Sequence, residues 1–101
     1  MKIEDIRKTV KVELPSYEGG WVEIYDDLLV KDLKDIEQYK ISNPEVGIFQ
    51  QGLMMATKVI KAWSFEDEVT VTNLDRLLNK DLQVIMNRVT EMQKENAKKK
   101  E

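Results

Sequence analysis

The sequence predicts an α+β fold that is mainly α, with an N-terminal antiparallel β-hairpin packed on a bundle of three to four helices. Apolar residues alternate with period two around Val10 and Val22, and from Leu29 to Met92 they recur at helical spacing. A Pro- and Gly-containing segment separates the two alternating stretches, as a hairpin loop requires. We expect one domain over residues 1–93 and a charged, flexible tail over residues 94–101.

Composition removes several classes of function. A chain of 101 residues supports one hydrophobic core. It contains no Cys and no His, so thiolate chemistry, the commonest metal ligand and the commonest neutral-pH acid or base are missing. A net charge of -3 favours no nucleic-acid partner, and the apolar runs are too short for a membrane span. Glu4 and Asp5 interrupt any signal peptide, so we expect an intracellular, soluble protein.

Two strands form the predicted hairpin. The segment Thr9–Leu14 alternates, with Val10, Val12 and Leu14 on one face. Residues 15–20 supply the turn, and the segment Trp21–Tyr25 resumes the alternation. Because two strands alone are marginally stable, we expect a helix on one face or a partner on one edge.

The hairpin also carries two candidate partner-binding residues. If Val22 and Ile24 face the core, Trp21 and Tyr25 point outward beside Glu23, and outward aromatic residues suit a binding surface. Two alternatives stay open: the strand has the opposite parity, or Trp21 packs locally over the end of the hairpin.

A short amphipathic helix follows in the segment Lys31–Tyr39, because Leu33 and Ile36 continue a helical spacing from Leu29. Asp26 and Asp27 precede it. A metal or catalytic site needs further ligands or a partner that perturbs their pKa values, and the sequence provides none nearby. We interpret this acidic pair as a solvated turn.

The next helix is predicted to be the central one. Asn43 is its expected N-cap, Pro44 its first residue, and Glu45 complements the positive end of the helix dipole. From there an apolar seam with alternating spacings of three and four is predicted to end at Trp63 and comprises Val46, Phe49, Leu53, Ala56, Ile60 and Trp63.

A second apolar row lies beside this seam and widens the stripe beyond what one core needs. It comprises Ile48, Gly52, Met55, Val59 and Ala62. The neighbouring Met54 adds a second flexible thioether, of the kind that adaptable binding surfaces use. From this helix and the turn after it we predict five partner-binding residues, and core burial is the alternative for each: Ile48, Met54, Met55, Val59 and Phe65.

Downstream of Trp63 the acids at positions 66–68 end the apolar pattern. Thr72 is the expected N-cap of a short helix over Asn73–Leu78, with Asp75 in the capping-box position. Asp81 is then expected to cap a last helix whose apolar stripe comprises Leu82, Ile85, Met86, Val89 and Met92. We expect Trp63 and Phe65 to pack against this helix around Leu82 and Ile85.

No catalytic, metal-binding or cofactor-binding residues emerge, so we predict that the chain is not an enzyme and carries no cofactor. Gly19 and Gly20 stand alone between strands and do not form a phosphate-binding loop. The acids at positions 66–68 lack the alternating oxygen ligands and the turn glycine of a calcium loop.

Several of these segments resemble small tail assembly chaperones of long-tailed bacteriophages and prophages. The resemblance covers the hairpin with Leu14-Pro15-Ser16, the helix ending IKAWSFEDE at residues 60–68, and VTVTNLDRLLNKDLQVIMNRV at residues 69–89. The family pattern falls on Trp63, Asp67, Glu68, Val71, Thr72, Asn73, Leu74, Leu77, Asp81, Leu82 and Ile85.

The resemblance implies a non-enzymatic role in tail morphogenesis. Such proteins bind the long tape measure protein and keep it soluble while tail tube subunits polymerise around it. The tape measure protein is therefore the implied partner, with the tail tube protein as a second. The implied location is the host cytoplasm, and the implied protein is absent from the mature virion.

The competing interpretation is a bacterial helical adaptor or regulatory module unrelated to phage, including a homodimer that uses the seam from Val46 to Trp63. An apolar excess on the central helix makes a homo-oligomer a reasonable hypothesis under either interpretation. Gene neighbourhood distinguishes the two, because a tail tube gene upstream and a long coiled-coil tape measure gene downstream favour the chaperone.

Overall fold

Three strands and four helices make up the fold in the computed structural model, which describes residues 2–99. The strands form one antiparallel sheet in the order β1-β2-β3 and comprise β1 (Thr9–Glu13), β2 (Trp21–Tyr25) and β3 (Ile60–Trp63). The helices are α1 (Val30–Ser42), α2 (Ile48–Val59), α3 (Val71–Leu74) and α4 (Asn79–Lys99). The predicted class, α+β and mainly α with an N-terminal hairpin, is confirmed.

The hairpin has the predicted strands, loop and parity. Val12 pairs with Val22, and Val10 pairs with Ile24. Val22 and Ile24 are fully buried, so the alternative with the opposite parity is wrong. In the loop Gly19 has a φ of 76°, a conformation that favours glycine.

The third strand is the main departure from prediction. The predicted central helix ran to Trp63, but α2 ends at Val59 and the next four residues form β3. Ala62 pairs with Glu23 and Trp63 with Val22, so β2 becomes the middle strand. The additional strand that the two-stranded hairpin was expected to need on one edge is therefore β3 of the same chain.

The start of the central helix was also predicted wrongly. Asn43 is the C-cap of α1, and both its backbone N–H and its side-chain amide donate to the carbonyl of Tyr39 at 3.0 Å. Pro44 lies in the turn, and α2 begins after Gly47. The Asn-Pro pair therefore ends one helix instead of beginning the next.

The two downstream helices begin earlier than predicted. Thr70, not Thr72, is the N-cap of α3, and its hydroxyl accepts a hydrogen bond from the Asn73 backbone N–H. α4 already begins at Asn79, so Asp81 lies in its first turn. Asp81 is fully buried, and its Oδ1 accepts a hydrogen bond of 3.0 Å from the Ser16 backbone N–H, which joins α4 to the hairpin loop.

α4 continues to Lys99, where the sequence predicted a fraying tail beyond Met92. The amide of Asn96 donates to the carbonyl of Asp26 at 3.2 Å, which fastens this end of the helix to the turn after β2. Residues 100 and 101 of the predicted tail lie outside the described part of the chain.

The core lies between the inner face of the sheet and the helices. Its members are Leu14, Val22, Ile24, Leu53, Ala56, Val59, Ile60, Trp63, Leu74, Leu82, Ile85, Val89 and Met92. Trp63 shares this cluster with Leu82 and Ile85, as predicted, although it lies on a strand. Four residues of the predicted seam, Leu53, Ala56, Ile60 and Trp63, are thus buried within the protomer, whereas Phe49 is 65% exposed.

Before β1, the N-terminal segment contains a salt bridge and a contact with the sheet, both made by Arg7. Arg7 and Asp5 meet at 2.7 Å, and the guanidinium carbon of Arg7 lies 3.6 Å from the centre of the Tyr25 ring. Hydrogen bonds from the Arg7 side chain, and then from its backbone, lower the pKa of Asp5 from 3.8 to about 2.

We expect Arg7→Gln to raise the pKa of Asp5 from about 2 towards 3.8. Because the folded-state pKa is the lower one, the stabilisation by this pair is present above about pH 3.8 and is lost as the pH falls towards 2. An NMR titration of the Asp5 carboxyl measures the shift, with core methyl signals as the check that the chain is folded. An unchanged Asp5 titration in the variant would contradict the assignment.

Candidate functional site

The seven predicted partner-binding residues separate into three places. Trp21 and Tyr25 lie on the outer face of the sheet. Phe65 lies in an aromatic cluster beside the hairpin loop. The four residues predicted on the central helix all lie on α2.

The outer-face aromatics are half-buried beneath cations. Lys11 Nζ is 4.2 Å from the centre of the Trp21 ring, and Arg7 covers Tyr25. Thr9 donates to Glu23 at 2.7 Å across the same face. The chain's own side chains already occupy much of this surface, which reduces the aromatic area open to a partner.

Phe65 packs between two rings in edge-to-face geometry. Its centroid is 5.1 Å from that of Tyr17 and 5.2 Å from that of Trp63. These rings, together with Arg76 and Leu77, border a depression of about 130 Å³. The cluster fixes the turn after β3 against the hairpin loop, which gives Phe65 a packing role.

On α2 the predicted residues divide by depth. Ile48 is 87% exposed, Met54 and Met55 are half-buried, and Val59 is fully buried. Val59 lies in the core, so the structure corrects its placement on the partner-binding surface. Ile48 and Met55 remain available together on one side of α2.

These two residues line a groove between α2 and α4, which we call the helical groove. It has a volume of about 200 Å³ and is lined by Lys40, Ile48, Gln51, Gly52, Met55, Met86, Val89, Thr90 and Gln93. A Cβ atom on Gly52 would lie 3.2 Å from the Met86 Cε, so the glycine lets this thioether approach α2 closely. Two methionines on opposite walls give the groove adaptable apolar sides.

A second depression continues along α4 and shares Gln93 with the helical groove. It is lined by Asp27, Leu28, Leu33, Met92, Gln93, Asn96 and Ala97. Leu33, which belongs to the apolar spacing of the predicted amphipathic helix, is 51% exposed. From Met86 to Ala97 the two depressions follow about 16 Å of α4, the length of roughly three helical turns.

The acidic positions show no metal-binding arrangement. Asp26 and Asp27 accept hydrogen bonds from main-chain N–H groups, of Lys8 and Leu28 respectively. Within residues 2–99 no cluster of three or more acidic side chains is placed to hold a metal ion. The described helices include none with the length and hydropathy needed to cross a bilayer.

Sequence reasoning identified Ile48 and Met55 but missed the opposite wall of the groove. Met86, Val89 and Met92 were recognised as part of the apolar stripe of the last helix but were not proposed to bind a partner. The signal that could have found the groove is the number of apolar residues on both helices, which is larger than one contact between the helices can bury.

Comparison of the chain with models of protein families, with curated proteins and with solved structures gave no match.

Proposed function

We propose that this chain is a non-enzymatic tail assembly chaperone that binds an amphipathic helical segment of the tape measure protein in the helical groove. The supporting observation is an open apolar groove, walled by Met55 and Met86 and continued along α4 for about three turns. An amphipathic helix presents anchors at i, i+3, i+4 and i+7 over a similar length, which fits that groove. The sequence resemblance selects the tape measure protein among possible helical clients.

The apolar residues at the mouth of the groove are suited to transient binding. Ile48 is exposed in the unbound chain, so a client helix would cover its apolar area directly, whereas at Met55 it would displace the Gln93 amide, which lies 3.0 Å from the Met55 sulfur. Flexible thioethers repack around different side chains, which suits a long, repetitive client better than one fixed sequence. The proposal places this binding in the host cytoplasm before the virion is complete, with tail tube protein as a second partner.

We expect Ile48→Asp to weaken client binding by about tenfold or more, because a carboxylate would be buried against the apolar side of the client helix. The measurement is isothermal titration of the folded chain with helical peptides from the tape measure protein encoded in the same gene cluster. Folding stability should change by less than about 0.5 kcal/mol, since the side chain is exposed.

Ile6→Asp is the matched control. Ile6 is 86% exposed, close to the 87% of Ile48, but it lies in the N-terminal segment away from the groove. It should bind the peptides as the unchanged chain does. Equal loss of binding in both variants would place the site outside the groove, and no binding by the unchanged chain would remove the proposal.

A further inference from the structure

β1 is an edge strand with a defined set of unpaired main-chain groups. The Leu14 N–H donates to the Gly20 carbonyl, and the Asp26 N–H donates to the Lys8 carbonyl. In an antiparallel ladder hydrogen-bonded residues alternate, so the residues of β1 that bond to β2 are Val10 and Val12. The N–H and C=O groups of the intervening residues, Thr9, Lys11 and Glu13, therefore face away from the sheet.

Within residues 2–99 these outward main-chain groups have no hydrogen-bond partner. The chain before β1 does not cover them, because the Arg7 guanidinium lies over Tyr25 on β2 and donates to the Asp27 carbonyl at 3.3 Å. The Arg7 side chain is thus directed across the sheet towards β2 and not towards the free edge of β1. An exposed edge of this kind is a template for another strand.

The charges of β1 select a second copy of β1 as that strand. In an antiparallel pair of identical strands, a residue whose N–H and C=O groups face the free edge must lie opposite another such residue. In β1 these residues are Thr9, Lys11 and Glu13. Placing Lys11 opposite Lys11, or Glu13 opposite Glu13, sets like charges against each other. Placing Lys11 opposite Thr9 leaves Lys11 without an acid and sets Glu13 opposite Arg7, which already pairs with Asp5 at 2.7 Å within its own copy. Placing Lys11 opposite Glu13 forms two equivalent ion pairs related by a two-fold axis.

This register also matches the apolar inner face. It places Val12 opposite its own counterpart and Val10 opposite Leu14. Val12 is half-buried and Val10 is 43% exposed, so a second sheet at this edge would cover apolar area that the protomer leaves open. Pro15 follows Leu14 and lacks an N–H, so it ends the ladder at a defined point.

We propose that two copies of this chain associate through β1 in an antiparallel register, with Lys11 of each copy opposite Glu13 of the other and Val12 on the two-fold axis. The two three-stranded sheets then form one sheet of six strands. The helical groove is built from helices and does not include β1, so this association is independent of the proposed function.

The first test uses the absence of cysteine from the chain. Across the axis the two Val12 residues form a pair without mutual hydrogen bonds, with Cα atoms about 4.5 Å apart, a distance that a disulfide spans. We expect Val12→Cys to form a disulfide-linked dimer under mild oxidation. Non-reducing electrophoresis and mass spectrometry of the folded protein measure the linked fraction.

Val10→Cys is the control, because it lies on the same face and is more exposed. In this register the two copies of position 10 are displaced by four residues, about 13 Å along the strand, which is too far for a disulfide. Random collisions would link the more exposed position 10 at least as readily as position 12. Equal or greater linkage at position 10 would overturn the proposal.

The second test reverses charges. We expect the unchanged chain to sediment as a dimer, and Lys11→Glu or Glu13→Lys each to reduce the association constant by about tenfold or more. An equimolar mixture of the two variants should dimerise again, because two acids on one copy then face two lysines on the other. Circular dichroism confirms folding. This control matters for Lys11→Glu because position 11 lies opposite Glu23 in the β1–β2 register, so the new acid would face another acid.

The outcomes separate the possibilities. Recovery in the mixture supports the register. A monomeric unchanged chain overturns the proposal and gives Lys11 the role of a charge that keeps an edge strand unpaired. A dimer that neither reversal weakens overturns it in favour of another interface.

Discussion

Trp63→Ala should lower the free energy of unfolding by about 3–5 kcal/mol, within the range for removing a buried tryptophan. Trp63 is 8% exposed, belongs to the main core cluster and packs edge-to-face on Phe65 at 5.2 Å. Its indole N–H also donates to the Asp67 carbonyl at 2.7 Å, so truncation removes this hydrogen bond as well as leaving a cavity. Since a domain of this size is stable by about 5–15 kcal/mol, the loss is a large fraction of the total.

Urea unfolding followed by far-ultraviolet circular dichroism measures this change, because the remaining Trp21 complicates a fluorescence signal. A lower midpoint with an unchanged slope identifies a loss of stability in the folded state. Trp63→Phe is the matched control, since it keeps an aromatic ring but removes the N–H, and it should lose less. A loss below about 1 kcal/mol in Trp63→Ala would mean that the indole is not part of the core.

The position of Trp63 shows where a single sequence is ambiguous. Ile60 and Trp63 are three residues apart, a spacing that continues a helical seam, and both are buried in the structure as predicted. They are buried because they lie on strand β3. Its partner strand, β2, is about forty residues away in the sequence, so no local sequence pattern indicates the pairing. Periodicity over four residues cannot distinguish a last helical turn from a short, half-covered strand.

The hairpin was predictable because its determinants are local. Alternation in Thr9–Glu13 and Trp21–Tyr25 fixes the two faces, and Gly19 supplies the positive φ that the connecting loop requires. Helix ends were less predictable, because the same residue types serve two purposes. Asn43 can begin a helix or end one, and here its hydrogen bonds to Tyr39 end α1.

The helical groove was half-predictable for a related reason. The sequence indicates that α2 and α4 each carry more apolar area than one contact needs, but it does not determine how far apart the helices lie. Gly52 opposite Met86 is part of the answer, since the missing side chain makes room for the thioether. Leu33 shows the same limit on α1: it continues the apolar spacing of that helix, yet its position in the lining of the second depression leaves it half exposed.

Val59→Asp should be the most destabilising of the substitutions considered at α2, with a loss of about 4 kcal/mol or more. Val59 has no exposed surface and belongs to the core cluster, so a carboxylate there would be buried without a charged partner. Thermal unfolding followed by circular dichroism should show a midpoint at least about 15 °C below that of the unchanged chain.

Ile48→Asp is the control that gives this comparison its meaning, because the sequence pattern placed Ile48 and Val59 in the same apolar row of one helix. The two residues are alike in hydropathy and differ in position along the helix axis: Val59 is the last residue of α2 and leads directly into the sheet, whereas Ile48 is the first and is 87% exposed. Ile48→Asp should therefore keep the midpoint within a few degrees, about the effect of 0.5 kcal/mol. If Val59→Asp were equally mild, Val59 would be accessible after all, and its predicted place on the partner-binding surface would be restored.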